Sequence, residues 1–244
     1  MNRFFVQENQ VNKNLITIVG EDVKHIKDVL RLKVGDSIEV VSKGILYLCQ
    51  IHSIEKNIIL ANIEEKFKSK NEPPIHIVLY QGLPKSSKMD FIVQKATELG
   101  AAEIYPLITD RTVVKINDIK KENKKVERWN KIALEAAKQS KRDCIPIVKN
   151  IISFNDMLSS LKDEKNILVP YEDEETVHLK DVMKNIEGEK IHIIIGPEGG
   201  FEEREIEELR SIGSNIVSLG PRILRTETAG LVAMSILLYE LGDI

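Results

Sequence analysis

Two segments near the C-terminal end restrict this chain more than any other. The first reads Ile191-His192-Ile193-Ile194-Ile195-Gly196-Pro197-Glu198-Gly199-Gly200-Phe201. The second reads Leu219-Gly220-Pro221-Arg222-Ile223-Leu224-Arg225-Thr226-Glu227-Thr228-Ala229-Gly230. Each leaves an apolar strand, passes through a Gly-rich turn and opens a helix. That form builds a ligand crevice at the carboxyl ends of the strands of an α/β sheet. The rhythm leading up to these segments agrees. From residue 75, strands are expected at Ile75–Tyr80, Glu103–Ile108, Ile145–Val148, Ile167–Val169, Ile191–Ile195 and Ile216–Leu219. Helices are expected at Ser86–Leu99, Asn117–Lys141, Phe154–Leu161, Glu202–Ser211 and Thr226–Leu241. Such alternation predicts a mostly parallel sheet with helices on both faces.

Residues 1–65 follow a different rule. Short runs rich in β-branched residues, at Leu15–Val19, Ser37–Val41, Ile45–Ile51 and Ile58–Ala61, are punctuated by Gly35-Asp36 and Lys43-Gly44. With one helix over Asp22–Arg31, they predict a small β-barrel. The polar stretch Lys66–Pro74, ending in two prolines, is the expected linker. Two domains follow, residues 1–70 and 73–244.

Several classes of protein are disfavoured by composition. The start lacks an apolar run of signal-peptide length, and no run reaches the ~20 residues of a membrane span. A cytoplasmic protein is therefore expected. Cys49 and Cys144 form no Cys-x-x-Cys pair, and the five histidines have no ligand spacing, so no metal site is expected. The net charge of −3 conceals an asymmetry. Residues 111–150 hold 12 Lys and Arg against 5 Asp and Glu, whereas residues 151–210 hold 7 against 16. A basic block in an otherwise acidic chain is either a phosphate-facing surface or a solvated helix face.

The loops themselves narrow the ligand. The first lacks the Lys-Ser/Thr pair of a P-loop and the Gly-x-Gly-x-x-Gly order of a dinucleotide site. The helix after it opens Glu202-Glu203-Arg204-Glu205, and those carboxylates would repel a phosphate at its N-terminus. A phosphate-free ligand held by backbone groups fits better, and a plain tight turn with Gly200 near the N-cap is the alternative. In the second loop Arg222 and Arg225 set two permanent cations beside the strand end. Their partners are an anionic substrate or structural carboxylates. Thr226 and Thr228 are both candidates to cap the last helix. That helix is apolar on nearly all sides, and so is buried in the monomer or covered by a second subunit.

Taken together, these motifs closely resemble the ribosomal small-subunit RNA uracil-N3 methyltransferases, which belong to the SPOUT class of knotted methyltransferases. The resemblance extends over the whole chain. It includes Arg3-Phe4-Phe5, the run His25 to Asp36, Lys88-Met89-Asp90, Gln94 to Gly100, Glu127-Arg128-Trp129 and Glu135 to Arg142. Lys27-Asp28 departs from the more apolar or His-rich pair expected there. The resemblance implies a PUA-like barrel, a parallel-sheet domain threaded as a trefoil knot, a homodimer and S-adenosylmethionine as methyl donor. It implies 16S ribosomal RNA of the small subunit as the partner. By the same resemblance the cofactor is held by Val169, Pro170, Tyr171, Gly196, Pro197, Glu198, Gly199, Leu219, Gly220, Ile223, Leu224, Thr226 and Thr228. RNA contacts are expected from Arg3, His25, Arg31, Lys88, Lys95, Arg128, Lys138 and Arg142. Methylating uracil N3 requires loss of its imino proton, and cations at O2 and O4 stabilise the anion. Arg222 and Arg225 are the candidates for that role. Glu198 and Glu227 are the nearest candidates for a base, although a capping or structural role suits both. Three rivals remain: a non-catalytic RNA-binding protein, a nucleotide-dependent α/β enzyme, and a methyltransferase acting at another RNA position.

Overall fold

The computed structural model describes residues 1–68, 70–114, 119–241 and 243–244, and all their side chains except that of residue 185. The chain divides into two compact units: residues 1–72 with 137–144, and residues 73–136 with 145–244.

The first unit is built on a sheet of six strands: β1 (Arg3–Phe5), β2 (Val11–Asn12), β3 (Leu15–Val19), β4 (Ser37–Ser42), β5 (Ile45–Ile54) and β6 (Ile58–Lys68). Their order is β1-β4-β5-β6-β3-β2, with β1 parallel to β4 and the other neighbours antiparallel. Alternate residues Ile16, Ile18, Val40, Cys49, Ile51, Ile59 and Ala61 share one core with Phe4. The expected helix over Asp22–Arg31 is α1 (Glu21–Lys24), which runs on as a π-turn through His25–Val29. The expected linker is corrected in part. Lys66, Phe67 and Lys68 belong to β6 and pair with Tyr47, Leu46 and Ile45. Beyond them the Asn71 N–H donates to Asp143, and Glu72 binds Arg142 at 2.5 Å. These hydrogen bonds anchor a stretch whose polar composition had suggested a free connector.

The second unit holds a parallel sheet: β7 (His76–Gly82), β8 (Glu103–Ile108), β9 (Ile147–Val148), β10 (Ile152–Ser153), β11 (Ile167–Pro170), β12 (Lys190–Ile195) and β13 (Asn215–Val217). The order is β10-β8-β7-β12-β11-β13, with β9 also on β8, and every pairing among the described residues is parallel. Its helices are α2 (Lys88–Glu98), α3 (Ile119–Gln139), α4 (Phe154–Ser160), α5 (Leu179–Val182), α6 (Glu203–Ser211) and α7 (Thr226–Glu240). The first two residues of the expected helix from Asn117 lie outside the described residues.

Strand alternation divides the core between the faces. Ile77, Leu79, Ile191, Ile193 and Ile195 pack with Met89 and Val93 of α2 and Met234 and Leu237 of α7. Val78, Tyr80, Ile194, Val169 and Ile216 pack with Phe154 and Met157 of α4 and Ile206 and Leu209 of α6. Burying one Leu or Ile side chain contributes roughly 1.5–3 kcal/mol, so both faces are firmly covered. The carboxyl ends of β7, β11 and β12 thereby become fixed points from which the loops project.

Candidate active site

Two adjoining hollows lie where β11, β12 and β13 end. One, of about 400 Å³, is bordered by Pro170, Tyr171, Glu172, Glu174, Glu175, His178, Ala229 and the run Ser218 to Leu224. The other, of about 310 Å³, is bordered by Lys88, Pro170, Glu172, Ile195, Gly196, Pro197, Glu198, Gly200, Ala229 and the run Ile223 to Thr226. Both expected strand-exit loops therefore meet at one place, together with the exit of β11.

The first loop is held by close backbone approach. A Cβ on Gly82, at the end of β7, would lie 2.4 Å from the Pro197 nitrogen and 2.6 Å from the Gly196 carbonyl carbon. No side chain fits there, because the obstructing atoms are backbone. Gly200 turns with φ +70°, and its Cβ would lie 2.2 Å from Glu172 Oε1. Outside the turn, Arg111 donates to the Gly199 carbonyl at 2.9 Å and forks onto Glu202 at 2.8 and 3.1 Å. Glu205 is fully buried and accepts from the Asp110 and Glu202 N–H groups at 3.0 and 2.9 Å. The N-cap of α6 is Glu202, two residues after Gly200, and a carboxylate already occupies the helix start. A phosphate has no place there, in agreement with the sequence.

The second loop leaves β13 through Gly220 at φ +107° and stays open to solvent over Pro221–Ile223. Arg222 is exposed, borders the larger hollow and makes no ion pair among the described residues. The Arg225 side chain is 82% exposed, and its nearest carboxylate, Glu227, is 4.0 Å away. Among the described residues, Arg222 thus has no structural acid as partner and Arg225 has only the distant Glu227. The N-cap of α7 is Arg225, so neither threonine caps the helix. Thr226 instead donates its hydroxyl to the Gly196 carbonyl at 2.5 Å, and Thr228 is exposed.

Lys88 begins α2 and lies 3.2 Å from Glu198 Oε1 and 3.2 Å from Glu227 Oε2. Partial burial pushes the Glu198 carboxyl up, but the Lys85 N–H and the Lys88 ammonium outweigh it and hold that carboxyl below the usual range. Glu198 is therefore a weak base engaged in holding the turn. Glu174 accepts from the Thr176 hydroxyl, the Val177 N–H and the Thr176 N–H, which lower its pKa to about 2. With Glu172, Glu175 and Glu198 it borders the crevice beside the cations Lys88, Arg222 and Arg225, so the lining carries both signs of charge.

Of the residues expected to hold the cofactor, Pro170, Tyr171, Gly196, Pro197, Glu198, Leu219, Gly220, Ile223, Leu224 and Thr226 border the hollows. Val169 is buried within β11, Gly199 is turned to Arg111, and Thr228 borders neither hollow. Sequence reasoning missed Gly82, Gln81, Arg111, Glu172 and Glu205. No local motif marks them, since each acquires its role only when distant strands meet.

The expected RNA contacts divide. Arg3 is buried and bonds Glu39 at 2.9 Å, Asp143 at 2.8 Å and the carbonyls of Lys141 and Arg142. Arg142 is buried against Glu72, and Lys138, 12% exposed, pairs with Asp22 at 2.8 Å. Breaking a buried pair costs about 3–5 kcal/mol, while an exposed ionic contact contributes about 1 or less. These three side chains are engaged by carboxylates within the first unit. Lys88 lines the crevice and Lys95 pairs with Glu98 at 2.8 Å. Arg128 is 65% exposed beside Asp90, Arg31 is exposed, and His25 lies edge-on to Phe4.

A crevice at the carboxyl edge of a parallel sheet, lined by strand-exit loops that carry both carboxylates and cations, is where α/β enzymes hold a small ligand. Family comparison agrees. Residues 71–238 match the RNA methyltransferase domain and residues 18–64 the RNA methyltransferase PUA domain. The chain is 38% identical to the ribosomal RNA small subunit methyltransferase E of Bacillus subtilis, over 98% of this chain and 97% of that protein. Among solved structures, the ribosomal RNA small subunit methyltransferase E of Neisseria gonorrhoeae bound to S-adenosylmethionine is similar at TM-score 0.87 and 31% identity, covering 98% of both chains. A Legionella pneumophila protein in complex with the same cofactor is similar at TM-score 0.86 and 30% identity, covering 98% and 97%. The chain belongs to the ribosomal RNA small subunit methyltransferase E family.

Proposed function

We propose that this protein uses S-adenosylmethionine to methylate N3 of one uridine in 16S ribosomal RNA, on the assembled small subunit in the cytoplasm. The observation that supports the reading is the meeting of three strand exits, at Pro170, Gly196 and Leu219, around two adjoining hollows. Bound there, the sulfonium supplies an electrophilic methyl group, so the hard chemistry belongs to the cofactor. The chain's own residues position and polarise. Glu172, Glu174 and Glu175 favour positive charge, and the turns at Gly196 and Gly220 bring backbone groups close to the ligand. Arg222 and Arg225 face solvent from the rim, where uracil O2 and O4 would meet them. They stabilise the charge left when N3 gives up its proton to solvent water as the N3–methyl bond forms and the sulfur–methyl bond breaks. Glu198 holds the turn rather than taking that proton.

The rest of the reading follows the family. Residues 1–70 form a PUA-like RNA-binding barrel, and residues 73–244 a SPOUT domain whose last strand and helix pass through a trefoil knot. The apolar α7 packs against a second copy in a homodimer. RNA phosphates meet the exposed lysines of α3. Incubation with labelled S-adenosylmethionine, on assembled small subunits and on free 16S RNA in parallel, tests the substrate. Label on subunits and little on free RNA is expected. Label on neither overturns the reading.

A further inference from the structure

Gln81 is fully buried at the end of β7, in register with Ile195, the residue before the Gly196 turn. Its Nε2 donates to Thr226 Oγ1 at 2.8 Å and to the Gly82 carbonyl at 3.1 Å. Thr226 Oγ1 in turn donates to the Gly196 carbonyl at 2.5 Å. Gln81 Oε1, by contrast, has no hydrogen-bond partner among the described residues, although it is buried. A buried acceptor left unpaired costs stability, and an apolar side chain of the same length would avoid that cost. Every bond the amide makes among the described residues is therefore on its donor side.

The donor has a directional effect. A threonine hydroxyl carries one proton and can turn it toward any nearby acceptor. With a lone pair engaged by the Gln81 N–H, the Thr226 proton is committed to Gly196. The opposite amide orientation would draw that proton to Gln81 and leave the Gly196 carbonyl without its donor. Thr226 is the first residue of α7 and follows Arg225 directly. The relay thus joins the turn beside Gly196 to the loop that carries both arginines.

We infer that Gln81 is a positioning residue for methyl transfer: through Thr226 it fixes the Gly196 turn against the Arg222–Arg225 loop, and so sets cofactor affinity. The inference rests on the reading of this crevice as the S-adenosylmethionine site. Its test is the dissociation constant for S-adenosylmethionine, by calorimetry on the full chain, together with the unfolding temperature of the ligand-free protein. Gln81→Met is expected to weaken binding about tenfold, the scale of one hydrogen bond removed from a buried network. The same variant should leave the unfolding temperature within ~2 °C or raise it. Thr226→Val should weaken binding similarly, Thr226→Ser should retain it, and the Gln81→Met/Thr226→Val double variant should bind no worse than Thr226→Val alone, because both act through one bond. Unchanged affinity in Gln81→Met, a parallel loss of affinity and stability, or additive losses in the double variant would each overturn the inference. Absence of binding by the unsubstituted protein would instead refute the cofactor site itself.

Discussion

At the residue scale, the site depends on a few atoms that cannot be exchanged. Gly82 and Gly200 both border the first turn but differ in what obstructs a side chain. At Gly200 the obstacle is the end of the flexible Glu172 side chain, and at Gly82 it is the backbone of Gly196 and Pro197. Gly200→Ala should therefore cost about 1–2 kcal/mol, mainly from a non-glycine residue at positive φ, and should keep measurable cofactor binding. Gly82→Ala should abolish that binding. Calorimetry and thermal unfolding of the two variants check this order, and equal effects would count against it. The arginines make a separate prediction. Arg222→Ala and Arg225→Ala remove charge from the rim without breaking any ion pair shorter than 4.0 Å among the described residues. Folding should be unaffected, while methylation by the more important of the two falls about 10²-fold or more. If both variants methylate subunits at near-normal rates, the assignment of these cations to the uridine anion is wrong.

At the level of elements, much of the architecture was legible in the sequence because periodicity reports burial. The strands Leu15–Val19 and Glu103–Ile108 have the expected ends, and α4, α6 and α7 each lie within a residue of expectation. Elements whose identity depends on distant partners were not legible. β1 is three residues long and exists because Arg3, Phe4 and Phe5 pair with Glu39, Val40 and Val41. The outer half of β6 is polar and exposed, so only its pairing with β5 reveals it as strand. The same limit governs charge. Composition gives the sign of α3 and its neighbours but not the partners, and Arg3, Lys138 and Arg142 face carboxylates. Lys124, Lys125 and Lys131 on α3 are exposed. Replacing these three by Ala should weaken RNA binding and flatten its dependence on salt by roughly one unit of slope for each phosphate no longer neutralised. Lys138→Ala should lower stability and leave the slope unchanged. Filter binding across a salt series distinguishes the two, and a steep slope that persists without the three lysines would move the RNA surface elsewhere.

At the scale of the whole molecule, one carboxylate of the crevice, Glu174, makes stability depend on pH in a defined direction. The Glu174 carboxyl is held at about 2, below its ordinary 4.5, by hydrogen bonds from Thr176 and Val177. A depressed folded pKa gives stability that is full above the ordinary value and lost as pH falls through the lower one. Glu174→Gln should therefore unfold at a lower temperature than the unsubstituted protein at pH 7. The gap should close between about pH 4.5 and 2. A constant gap across that range would show that ionisation is irrelevant there. Assembly is testable by mass: α7 leaves Tyr239 70% exposed on a helix apolar on most sides, and a dimer is expected in sedimentation at micromolar concentration. A monomer would contradict the proposed packing. The central claim, that this crevice directs a methyl group to a base nitrogen of ribosomal RNA, is tested most directly by the chemical position of the product. Small subunits lacking the modification would be methylated with labelled S-adenosylmethionine, and their RNA digested to nucleosides and separated. The label should co-migrate with 3-methyluridine and be lost with Arg222→Ala or Arg225→Ala, whereas label on a ribose hydroxyl or on another base would contradict the account.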